Sequence, residues 1–82
     1  MDKRIVVLQR GWVVVGNYKL DGDEVIVTDG AVVRRWGTTK GLGQLANEGP
    51  LTDTKLDPIP ELRVHRLAVV LTLACKEGSW KQ

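Results

Sequence analysis

The chain has 82 residues, one cysteine, one histidine and a formal net charge of +2. That length suits a single small domain over residues 1–82, and that charge lacks the basic excess of a general duplex nucleic-acid binder. A disulfide framework is excluded because Cys75 has no second cysteine to pair with. A structural metal site is excluded because His65 and Cys75 fall short of the usual set of about four ligands.

A chain this short buries little more than roughly 60% of the surface its unfolded form exposes. Its core is small, and assembly as a homo-oligomer, a dimer or a tetramer, is the expected source of extra stability. Arg10 interrupts the apolar run that begins at Ile5, and no apolar stretch approaches the roughly 20 residues of a membrane span. A cytoplasmic protein with no membrane partner is expected.

The first forty residues read as strands. Ile5-Val6-Val7-Leu8 and Trp12-Val13-Val14-Val15 are β-branched and apolar, and between them Arg10-Gly11 suits a bulge in one bent strand or a turn between two paired ones. Trp12, Val14, Gly16, Tyr18 and Leu20 recur with period two, which predicts one buried face with Asn17 and Lys19 turned outward. Asp21-Gly22-Asp23 is a hairpin signal, and residues 24–28 form the return strand. Asp29-Gly30 reads as a second turn of the same kind, followed by a strand over residues 31–36.

Gly37-Thr38-Thr39 ends the alternation, and Leu42, Leu45 and Ala46 follow at helical spacing. A helix of about two turns is predicted here, too short to persist alone, so Leu42 and Leu45 must rest on the sheet. Thr38 or Thr39 is the expected N-terminal cap, and Gly49-Pro50 the stop. Residues 51–60, with Pro58-Ile59-Pro60 extended, read as a connector. Residues 61–65 and 67–75 supply the last strands. The second of these runs is compatible with a helix by composition, but Val69, Val70 and Thr72 favour a strand. Residues 76–82 read as a frayed tail, with Trp80 the one residue in it that a partner subunit could tie down. The fold class expected is mostly β, a small antiparallel sheet or barrel-like meander, with one short α-helix after the central strands.

The charge distribution singles out one segment. Residues 30–47 contain no acidic residue but carry Arg34, Arg35 and Lys40. Guanidinium groups, the indole of Trp36, closely spaced glycines and the start of a helix meet there, a combination suited to a phosphorylated, base-containing ligand. Strand alternation places Arg34 and Trp36 on one face and Arg35 on the other. Lys40 with the Thr38 and Thr39 hydroxyls would complete a phosphate cradle at the helix start, and Trp36 would stack on a base. A purely structural account of the same residues makes Trp36 a core residue on Leu42 and Leu45, Arg34 and Arg35 a solvated strand end, and the threonines caps. Gly41 and Gly43 weigh against it, because each weakens a short helix by about 1 kcal/mol relative to alanine.

Trp12 beside Arg10 is either a second stacking surface, a subunit contact or part of the sheet core. The carboxylates of Asp21, Asp23 and Glu24 are explained by the hairpin turn. Cys75 lies in an apolar run that raises a thiol pKa, and no base is paired with an orienting group, so no catalytic residues, no metal and no cofactor are expected.

The order of features, Arg10-Gly11-Trp12-Val13-Val14-Val15-Gly16, an Asp-Gly hairpin, then Ala31-Val32-Val33-Arg34-Arg35-Trp36-Gly37 leading into Leu42-Gly43-Gln44-Leu45-Ala46 and Glu48-Gly49, resembles a family of small phage and prophage proteins over residues 10–75. Some of its members are similar to phage anti-CBASS sponges, which sequester the cyclic nucleotide signals of bacterial defence. The resemblance implies a compact β fold with one short helix, assembled as a homo-oligomer, that holds a cyclic dinucleotide without cleaving it. It implies Arg34, Trp36, Thr38, Thr39 and Lys40 as contacts. Two rival functions fit the same residues: a small virion structural or assembly protein whose tryptophans are interface residues, and a single-stranded nucleic-acid-binding β-barrel.

Overall fold

A computed structural model describes residues 2–80. Strands β1 (Lys3–Leu8), β2 (Val13–Asp21) and β3 (Glu24–Arg35) precede one helix, α1 (Leu42–Glu48), and strands β4 (Lys55–Ile59), β5 (Leu62–His65) and β6 (Val69–Ala74) follow it. They form one antiparallel six-stranded sheet in the order β4-β3-β2-β1-β6, with β5 on the first half of β3 and β4 on the second half. The expected class, mostly β with one helix after the central strands, is the observed one.

The β1–β2 connection is a tight turn. The amide of Leu8 donates to the carbonyl of Trp12 at 2.7 Å, and Arg10 takes a left-handed conformation (φ 68°) before Gly11. The Asp-Gly signal at residues 21–23 is a true hairpin, with Asp21 opposite Glu24. Asp29-Gly30, predicted as a second turn, is a β-bulge inside the continuous strand β3. Asn17 faces Thr28 and Val15 faces Ala31, so Gly16 alone opposes Asp29 and Gly30. Asp29 accepts the positive φ (49°) that the extra residue demands. An Asp-Gly pair offers the same left-handed geometry to a turn and to a bulge, and the nine-residue partner β2 selects the bulge.

That bulge bends the sheet until its own faces meet. Val6, Leu8 and Val14 from the first half pack on Val25 and Val27 from the second, with Leu62 and Val64 of β5 against them. On the opposite face Ile5, Val13, Val15 and Val33 receive Leu45 and Ala46 of α1 together with Trp80. The single buried face predicted for β2 is therefore two: Val13 and Val15 are as buried as Val14, while Trp12 and Leu20 are exposed. Period-two alternation misleads here because a sheet that curls on itself encloses both sides of its middle strands.

Two further expectations are corrected. Residues 51–60 are not all connector, since β4 pairs with β3 and Pro58 sits opposite Ala31. A proline is tolerated there because β4 is an edge strand. Trp80, assigned to a frayed tail as the one residue a partner subunit could tie down, is 9% exposed in the core of its own chain, where its indole Nε1 donates to the carbonyl of Ala46 at 3.1 Å. Elsewhere in the predicted tail the amide of Lys76 donates to the carbonyl of Ala46 at 2.9 Å and that of Ser79 to the carbonyl of Lys76 at 3.2 Å, while 81–82 lie outside the described residues.

A Cβ on Gly16 would stand 2.6 Å from Val27 Cγ1 and 2.9 Å from both Gly30 Cα and Thr28 O. Gly43, in α1, has open space around it. Gly16→Ala is expected to destabilise the fold by about 1 to 3 kcal/mol through overpacking. Gly43→Ala should stabilise it by about 0.5 to 1 kcal/mol by helix propensity. Denaturant unfolding of the two variants should show these opposite signs.

Candidate functional site

The segment after β3 turns a rigid corner. Gly37, at φ 66°, lies so close to the Asp53–Thr54 backbone that no side chain fits between them. Thr54 Oγ1 donates to the carbonyl of Trp36 at 2.7 Å and accepts from the amide of Leu51 at 2.9 Å. Trp36 emerges from this anchored backbone 43% exposed. It is not the core residue on Leu42 and Leu45 that the structural account expected.

The helix start is organised by a residue that sequence reasoning passed over. Gln44 folds back so that its Oε1 accepts from the amides of Lys40 (2.8 Å) and Thr39 (3.1 Å). The predicted threonine cap does not form: Gly41 occupies the cap position without a side-chain hydrogen bond, and the Thr38 hydroxyl is enclosed with no partner. Part of the signal was present, because a glutamine in the third helical position is the residue type that reaches back in a capping box, although here it accepts from the two amides before Gly41 rather than from that of the cap itself. The stop at Gly49 is as expected, with its amide donating to the carbonyl of Leu45 at 2.9 Å. The hydroxyls of the predicted phosphate cradle are not open to a ligand: that of Thr38 is enclosed, and that of Thr39 donates to Gln44 Oε1 at 3.4 Å.

The predicted cations divide. Arg34 is ion-paired with Asp57 at 2.8 Å on an exposed edge, a geometry of small energetic weight. A register shift between Val33 and Arg35 puts Arg34 out of the ladder, so strict alternation does not carry through to Trp36. Arg35 stands directly opposite Lys55, and among the described residues neither these two nor Lys40 is ion-paired with a carboxylate. Like charges facing each other across a ladder are destabilising.

Two concavities lie away from the corner. One, of about 1040 Å³, runs beside the bulge and is bordered by Lys3, Asn17, Asp29, Lys76 and Trp80. The other, of about 420 Å³, is an apolar groove walled by Leu8, Trp12, Val14, Val32 and Leu62. Of the seven residues singled out from sequence (Arg34, Arg35, Trp36, Thr38, Thr39, Lys40 and Trp12), only Trp12 lines either one. Trp12 is 57% exposed rather than in the sheet core. Burial pushes the Cys75 thiol up to about 11, the direction expected of its apolar run.

No family model, curated protein or solved structure matches the chain.

Gln44→Ala removes the acceptor for two amides at once. It is expected to lower stability by about 1 kcal/mol and to speed hydrogen exchange at Thr39 and Lys40, while the amides of β1 and β2 keep their protection.

Proposed function

We propose that the protein is a non-enzymatic binder of a phosphorylated, base-containing ligand, a cyclic dinucleotide or related nucleotide signal, held at the corner after β3. One observation carries the proposal: two facing cations without carboxylate partners, Arg35 and Lys55, stand at the end of a ladder whose next residue is the half-exposed Trp36. Phosphate would sit between the guanidinium and the ammonium groups, with Lys40 on the adjoining loop. The indole would stack on a base, a contact worth about 1 to 3 kcal/mol by alanine substitution in single-strand binders. The backbone beneath Trp36 is held by Thr54 and that of Thr39 and Lys40 by Gln44, so the ordering cost of binding falls on the cationic side chains rather than on the loop.

The corner opens to solvent in a single chain. A cyclic dinucleotide has two bases and two phosphates related by a near two-fold, so the same patch on two subunits of a homo-oligomer would enclose it. The action proposed is sequestration of such a signal, as in a phage anti-defence sponge, and it asks nothing of the residues beyond binding.

The openness of the corner also favours a second reading, a track for single-stranded nucleic acid. Its affinity would fall steeply with added salt, whereas an enclosed cyclic nucleotide would be less sensitive.

Calorimetric titration with a panel of cyclic di- and trinucleotides at two salt concentrations is the test. Binding of at least one member is expected. Arg35→Ala and Trp36→Ala should each weaken it by about tenfold or more without lowering Tm. Silence across the panel contradicts the proposal.

A further inference from the structure

Among the described residues, strands β4, β5 and β6 each pair on one side only, and the sequence treats these edges differently. The β4 edge carries Lys55, Asp57 and Pro58, with Pro60 immediately after. On β5, Arg63 is ion-paired to Glu24 and Glu61. Charge and proline are the devices that keep an edge from pairing with another chain. Strand β6 has neither, because residues 67–75, Leu-Ala-Val-Val-Leu-Thr-Leu-Ala-Cys, contain no charge and no proline.

The same edge presents apolar side chains. Val7 pairs with Leu71 and Leu8 with Val69, so Val70 is left without a partner on β1 and is 60% exposed. Leu71 and the preceding Leu67 are exposed as well. An uncovered strand of high β propensity with outward valine and leucine is a pairing surface.

We propose that β6 is the subunit interface, pairing antiparallel with β6 of a second copy about a two-fold axis so that one sheet runs through the dimer. A second copy suits this edge for two reasons. Residues 67–75 hold no charge to repel across the pair, and where the register centred on Leu71 sets Arg66 opposite Lys76, the Arg66 charge is already met by Asp23. Head-to-tail pairing of β6 with β4 or β5 of another copy meets prolines or fixed charges, so the isologous contact is favoured and the assembly closes rather than growing into fibres. The inference uses none of the corner residues; β6 and β4 stand at opposite ends of the strand order, so a ligand enclosed between two corners needs a further contact besides this one.

Light scattering after size exclusion, together with sedimentation from micromolar to millimolar concentration, should give twice the 9.1 kDa mass of one chain. Val70→Lys and Leu71→Lys should each return the one-chain mass with unchanged circular dichroism, and Leu20→Lys, an exposed leucine on the β2–β3 hairpin, should leave the dimer intact. If the β6 substitutions prevent folding, hydrogen exchange of the wild-type protein replaces them. The β6 amides directed away from β1 should be protected at high concentration and exchange on dilution. A one-chain mass throughout, association that survives both β6 substitutions, or β6 exchange independent of concentration overturns the proposal.

Discussion

Where β2 crosses β3, two glycines meet in the space where side chains would otherwise stand. Gly16 and Gly30 approach so closely that a Cβ on either would collide with backbone, the one with Thr28 O and the other with Val15 O at 2.8 Å. The extra residue at Asp29 supplies the bend. A short chain cannot cover both sides of a flat sheet, but a sheet that folds over on itself needs a cover on one side only. The helix and Trp80 are that cover, and the second core is built from the sheet alone.

The corner after β3 inherits its geometry from this arrangement. Strand β3 is long enough to carry β5 before the bulge and β4 after it, and its end emerges beside the turn that contains Asp53 and Thr54. The chain must then reverse to lay Leu45 on Val13 and Val15, and Gly37 together with Gln44 makes that reversal rigid. Outside stand Arg35 facing Lys55, Lys40 on the loop and Trp36, with the carboxylate of Asp53 exposed on the turn beside Gly37. Arg34 belongs to a different balance, with its charge already met by Asp57.

Much of the fold could be read from the sequence, and the reasons for success and failure are physical. The hairpin at Asp21-Gly22-Asp23, the helix at residues 42–48 and the stop at Gly49 are local events, decided by residues within a few positions of one another. The bulge, the strand β4 and the burial of Trp80 depend on partners far along the chain. A turn signal at Asp29-Gly30 and a proline-rich stretch at residues 50–60 carry no mark of those partners. At the segment chosen from sequence, the structure distributes the side chains differently from strict alternation. Lys55, the partner that leaves Arg35 facing a like charge, is distant in sequence and visible only through strand register, while Gln44 sat in plain view as the residue type that reaches back in a capping box. Trp36 and Trp12 look alike as letters, and only the curl of the sheet puts them in different surroundings, one at an open cationic strand end and the other beside an apolar groove.

The indole N–H resonances of Trp12, Trp36 and Trp80 are distinct probes of the groove, the corner and the core. Followed by NMR while a cyclic dinucleotide is added, the Trp36 signal should shift together with the amides of Arg35 and Lys55, and the Trp80 signal should stay in place. Saturable shifts at Trp12 or Trp80 with Trp36 unmoved would contradict the account, because the ligand would then occupy a different surface from the cationic strand end.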